Sequence, residues 1–156
     1  MQPVAQKLAL PAVYGKVKST LPWDEVRERL EQADRYWLVT TRPSGTAHVV
    51  PVDGLWLDDR WFYGGSPQTQ HHRNLERNPQ AVVHLDDTMQ VVIVEGSMER
   101  LIPDAETASR LAAASNGKYG YGQTPETYTA GVWALHPERA RAWSAFMSDA
   151  TRFMFG

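Results

Sequence analysis

The chain contains no cysteine. That excludes disulfides, thiolate metal sites and a cysteine nucleophile, and it fits a cytoplasmic protein. A basic block is also missing. The 16 Lys and Arg residues are scattered among 18 acidic ones, for a net charge of -2, so nothing electrostatic points to nucleic acid or an anionic membrane surface as a partner. No window approaches the ~18 uninterrupted apolar residues of a membrane span. The opening MQPVAQKLALPAVYGK has neither the charged region nor the long apolar region of a secretory signal. Three motifs are absent as well: the G-x-S-x-G elbow, the G-x-x-x-x-G-K-[ST] phosphate loop and a G-x-G-x-x-G opening a βαβ unit. Tyr119-Gly120-Tyr121-Gly122 is glycine-rich, but reads as a flexible loop.

What is present suits one domain. The 156 residues are 42% hydrophobic, enough for a packed core. Residues 1–19, interrupted by Pro3, Pro11 and Gly15, read as an irregular arm. A helix is expected from Thr20 or Pro22 to Ala33, with Trp23, Val26 and Leu30 at helical spacing. The period then changes to two. RYWLVTTR (35–42) is a strand, Pro43-Ser44-Gly45 a turn, and residues 46–57 a longer strand in which Pro51 and Gly54 suggest a bulge or an edge. Asp58-Asp59 turns the chain into a strand over residues 60–63. Further strands are expected at 81–85, 90–101, 131–135, 140–146 and 151–155. Asp104 caps a helix to about Ser115, stopped by Asn116-Gly117. Tight turns dominate the connections, so the pattern predicts an antiparallel split β-barrel of about six strands with peripheral helices, rather than a βαβ sheet.

The stretch GGSPQTQHHRNLERNP (64–79) carries the most chemistry. Ser66 is a good N-cap and Pro67 a good first helical residue, so a helix is expected to start here with its free amides facing outward. Gly64 and Gly65 let a ligand approach the backbone. Ser66, Thr69, Gln70 and Arg73 would share a helical face, with His71 and Asn74 beside it and His72 turned away. The same residues also suit a plain N-capped surface helix in water. His71 and His72 are adjacent, so one helix cannot bring both to a metal ion; His84 lies between apolar strand residues, and no metal site is expected.

The order and spacing of three segments carry a resemblance: x-G-x-x-H-x-x-P-V around Gly45 to Val52, R-N-L-x-x-N-P from Arg73 to Pro79, and V-x-V-E-G from Val92 to Gly96. Together they resemble the flavin-binding split-barrel superfamily that contains pyridoxamine 5'-phosphate oxidase, and within it the actinobacterial deazaflavin-dependent oxidoreductases that use coenzyme F-420. The resemblance runs over residues 35–101 and extends to ARAWSAFMSDATRFMF near the C-terminus.

The resemblance implies an oxidoreductase that is a homodimer with cofactor sites at the interface, acting on a small-molecule substrate. The cofactor ring would run along His48, Val50, Pro51 and Val52. Its phosphate would meet Gly65, Ser66, Thr69, Gln70 and His71, with Asn74 nearby. F-420 is the expected cofactor and FMN the alternative; a non-catalytic protein that binds flavin, tetrapyrrole or haem is a further reading. Many relatives carry lysine where this chain has His71, an imidazole of unperturbed pKa ~6.5, so phosphate binding is expected to be weaker or pH-dependent unless Arg73 or a partner subunit compensates. No catalytic residue is assigned; His48 is the candidate closest to the ring. A dimer is also expected from apolar strand faces bearing Trp56, Trp61 and Val91 to Val94, which one barrel alone would expose.

Overall fold

Alternating burial along the strands organises the molecule, whose computed structural model describes residues 2–156. In β2 (Tyr36–Thr41) every second side chain, Tyr36, Leu38 and Thr40, is buried. The same period governs β6 (Gln80–His84) and most of β7 (Val91–Leu101). The remaining strands are β1 (Val4–Lys7), β3 (Ala47–Val52), β4 (Leu55–Leu57), β5 (Arg60–Tyr63), β8 (Val132–Trp143) and β9 (Thr151–Met154). The helices are α1 (Trp23–Gln32), α2 (Gln70–Arg77) and α3 (Ala105–Tyr119).

All strand pairs are antiparallel, in the order β1-β9-β8-β7-β6-β2-β3. β8 pairs with β7 along one edge. On its other edge Trp133, Ala134 and Leu135 face β5, whereas Arg139 to Ala142 face β9. The sheet therefore divides at this edge: β5 and β4 leave one way, β9 and β1 the other. Only the chain itself joins β3 to β4, so the barrel is open. This is the split barrel expected from the sequence, with nine strands instead of about six.

Two cores result. Inside the barrel, Trp23, Val26 and Leu30 of α1 pack with Leu38, Trp61, Val83, Val94, Leu135 and Phe153. Outside it, Leu111 and Ala112 of α3 pack with Leu55, Phe62, Val132 and Ala134. The short β4–β5 hairpin thus buries both faces, Trp56 and Trp61 inward and Leu55 and Phe62 under α3. Its turn places Asp58 and Asp59 at φ 52° and 57°, a left-handed pair that the short polar Asp side chain tolerates and that matches the strand twist.

Several boundaries differ from expectation for tertiary reasons. The N-terminal arm is not wholly irregular, because β1 pairs with β9. The strand expected over 46–57 breaks at Asp53-Gly54, where a Cβ on Gly54 would lie 2.3 Å from Trp61 Nε1. The expected strands 131–135 and 140–146 are one strand, held together by β7. α3 runs through Asn116-Gly117 and ends at Gly120, whose φ is 69°. Its last turn is anchored by Lys118 Nζ donating to Tyr36 Oη at 3.0 Å and by Tyr119 Oη bonding both the N–H and the C=O of Gly54. The strand faces expected to be exposed and to drive a dimer are not: Trp56, Trp61, Val92 and Val94 are buried within the single chain.

Candidate functional site

α2 begins later than its sequence suggests. Ser66 does not cap it; its carbonyl accepts from Thr69 N–H at 3.1 Å and its hydroxyl from Gln68 N–H at 3.2 Å, closing a turn. Thr69 is the N-cap and accepts from His72 N–H at 3.3 Å. Ser66 therefore lies outside the helix and shares no helical face with Thr69, Gln70 and Arg73. Arg73 folds back onto Gln68 O (2.7 Å) and Gln70 Oε1 (3.1 Å).

A cleft of about 720 Å³ opens between β3, the loop after β5 and the segment from the end of α3 to β8. Val50, Pro51, Val52, Gly65 and His71 line it. Five of the expected cofactor residues thus meet in one concavity, three from the strand and two from the loop and helix. Ser66, Thr69, Gln70 and Asn74 do not line it. Asn74 is 0% exposed; its amide donates to Thr40 Oγ1 at 3.0 Å and accepts from Gln70 Nε2 at 2.7 Å. It fastens α2 to β2.

His48 stands behind the wall, its ring centroid 6.1 Å from that of His71. Its buried Nδ1 has no hydrogen-bond partner among the described residues. Such an atom is costly unless something satisfies it. Tyr63 links the strands to the helix: its hydroxyl is 2.9 Å from His71 Nε2, and its ring lies where a Cβ on Gly65 would be. Gly65 has φ 66°, so both its backbone and the ring over it require glycine.

His71 and His72 are not ordinary imidazoles. Burial, then the neighbouring His48 and His72, lowers the pKa of His71. In the free protein at neutral pH it would meet a phosphate as a hydrogen-bonding group more than as a cation. His72, expected to turn away, is buried. Its Nδ1 accepts from Trp133 Nε1–H at 3.1 Å and its Nε2 faces Glu76 at 3.2 Å, and burial, followed by Arg100, lowers its pKa.

Sequence reasoning missed the far wall. Tyr119 and Tyr121 stack with centroids 5.4 Å apart. Arg35 lies over Tyr119 and pairs with Asp53 at 2.7 Å, and Tyr121 Oη donates to the same carboxylate. Arg100 lines the opposite end. These residues come together through the β7–β8 register and the extended α3, neither of which shows as a local pattern. A second concavity, about 610 Å³, lies across β3 beside Trp37. Trp37 Nε1–H is already bonded to Asp86 at 2.9 Å, and Arg29 to Glu25. This concavity holds no residue of the loop after β5 or of α2, so the first cleft is the candidate site. Among the described residues no three His, Cys, Asp or Glu side chains are grouped to hold a metal ion, and no helix is long and apolar enough to cross a membrane.

Solved structures share this architecture. A conserved hypothetical protein from Mycobacterium tuberculosis is 18% identical, with a TM-score of 0.66 over 82% of this chain and 88% of that one. An F420 reductase is 22% identical, with a TM-score of 0.56 over 72% of this chain and 94% of that one. A heme binding protein from Mycobacterium smegmatis is 18% identical, with a TM-score of 0.64 over 92% of this chain and 58% of that one. At these identities the likeness is one of fold. No curated protein matches the chain in sequence. The sequence model of the Pyridoxamine 5'-phosphate oxidase family spans residues 22–144, covering β2 to β8 with the loop after β5 and α2, and the chain belongs to that family.

Proposed function

We propose that the cleft binds a phosphorylated deazaflavin, coenzyme F-420, with FMN as the alternative, and that the protein is an oxidoreductase acting on a small organic substrate. The observation that carries this reading is the convergence of Val50, Pro51 and Val52 with Gly65 and His71 on one cleft. The residues suit such a group. The Val50 to Val52 edge of β3 offers a largely apolar rim for a ring, and the orphaned His48 Nδ1 marks a polar position behind it. Space over Gly64 is open, with no atom within 4 Å of a Cβ built there. Bound there, the cofactor would supply hydride transfer. The chain's own contribution is to hold and shield it: Val50 to Val52 set the ring plane, Gly65 and His71 receive the phosphate end, and Tyr119 and Tyr128 wall off water. No side chain is assigned a proton-transfer role.

The test is a fluorescence and absorbance titration of the purified protein with F-420, FMN and haem. Tight binding of F-420, weaker binding of FMN and none of haem is expected. Haem binding with no flavin binding would overturn the oxidoreductase reading in favour of a tetrapyrrole-binding protein.

The proposal includes a homodimer in the cytoplasm. β3 is a sheet edge, and Val49 on it is 53% exposed; Pro51 withholds one N–H from that edge, which limits open-ended strand pairing. Sedimentation at micromolar concentration should give twice the 17.6 kDa chain mass; a monomer would overturn it.

A further inference from the structure

The cleft has two cations, and they are not equivalent. Arg35 is neutralised by Asp53 at 2.7 Å. Arg100 has no carboxylate within salt-bridge distance among the described residues. Its Nη2 makes one long bond to Ala130 O (3.4 Å), and its guanidinium lies 5.6 Å from the centroid of the Trp133 ring. Most of its five donors are therefore free.

The fold fixes where this exposed residue sits. Arg100 is opposite Trp133 in the β7–β8 ladder, and Trp133 is opposite Tyr63 in the β8–β5 ladder. The row Tyr63–Trp133–Arg100 crosses three strands. α2 packs on it through His71, bonded to Tyr63, and His72, bonded to Trp133. Arg100 thus stands at the end of the cleft where the loop after β5 enters α2. On its other side a Cβ at Gly131 would come 3.1 Å from Arg100 Nε, and Gly131 has φ 106°. Glycine there leaves the guanidinium its place.

We infer that Arg100 is the permanent cation that anchors the cofactor's phosphate, in the role that His71 and Arg73 do not fill. This rests on the reading that the cleft takes a phosphorylated flavin or deazaflavin. Arg73 is bonded to its own helix start and lies outside the cleft. His71 can donate to a phosphate oxygen but carries little charge at neutral pH. A guanidinium keeps its charge and presents paired donors matched to phosphate oxygens. Gly64, with open space where a Cβ would stand, would let the phosphate approach both the backbone and Arg100, whereas the Tyr63 ring occupies that position at Gly65.

The experiment compares FMN with riboflavin, which lacks the phosphate, and F-420 with its phosphate-free ribityl deazaflavin, by fluorescence titration. Wild type should prefer each phosphorylated form. Arg100→Gln should weaken the phosphorylated ligands about ten- to a hundredfold, the range for one charge-assisted contact, and leave the phosphate-free ones unchanged. Arg100→Lys should restore part of the preference, and Arg73→Gln should keep all of it. If wild type shows no phosphate preference, if the preference survives Arg100→Gln, or if both ligand forms weaken equally, Arg100 is not the anchor although the cleft still binds a flavin. If wild type binds none of the four ligands, the cofactor reading itself fails and this inference with it.

Discussion

Gly96→Ala should cost about 3 kcal/mol or more, at or above the upper end of the usual penalty for overpacking. A Cβ at Gly96 would lie 2.1 Å from the carbonyl oxygen of His136 and 2.9 Å from its carbon. Both atoms are backbone, so no side chain can swing aside. The strands would have to separate where they can least do so. The β7–β8 register shifts between Glu95 and Gly96, and Pro137 sits opposite Gly96. This is also where β8 passes from β5 to β9. The glycine in the V-x-V-E-G segment is thus explained by the close crossing at which the barrel splits. Urea unfolding measures the effect, with Gly117→Ala as the contrast. Gly117 is inside α3 with open space around it, so alanine there should stabilise by about 0.5–1 kcal/mol. Equal midpoints for Gly96→Ala and wild type would show that the strands can part without loss.

That pair of glycines shows what the sequence could and could not reveal. The strand periodicity, the Asp58-Asp59 turn and the Asp104 cap are local signals, and the structure follows them. Asn116-Gly117 is an equally good local stop for a helix, yet α3 continues, because Lys118 and Tyr119 make tertiary bonds that the sequence does not display. β1 was illegible for the same reason: its exposed side chains carry no period, and it exists through the backbone of β9. At the candidate site, Val50, Pro51, Val52, Gly65 and His71 could be named from order and spacing, but His48, Ser66, Thr69 and Gln70, named with them, do not line the cleft. Arg100 could not, since its position depends on ladders that join residues about thirty and seventy apart in the chain. Asn74 was legible as a motif residue, but its role depends on Thr40, which only the folded chain brings near.

Stability should fall as pH drops below about 6.5, before carboxylates titrate. His71 and His72 are 6% and 7% exposed, and both have lowered pKa values, with burial the largest cause. In the unfolded chain each takes up a proton near pH 6.5. In the folded chain each resists it. The unfolded state therefore binds more protons below pH 6.5, and stability rises with pH through that window and is lost on acidification. Local bonds point the same way. His72 Nδ1 accepts from the Trp133 indole N–H, so a proton there would set two donors face to face. Groups around the pair act unequally: Arg100 opposes charge on His72, Glu76 favours it, and His48 opposes charge on His71. Each proton excluded from the folded state contributes a slope of up to about 1.4 kcal/mol per pH unit. For two sites the loss between pH 6.5 and 5.5 is up to about 2 kcal/mol. The depressed carboxylates Asp58, Asp87 and Asp104 add theirs only at lower pH. Urea unfolding at pH 7.5, 6.5 and 5.5 should show the fall in wild type, a shallower fall in His72→Gln, and a nearly flat profile in the His71→Gln, His72→Gln double variant. A double variant as acid-sensitive as wild type would place the proton uptake elsewhere.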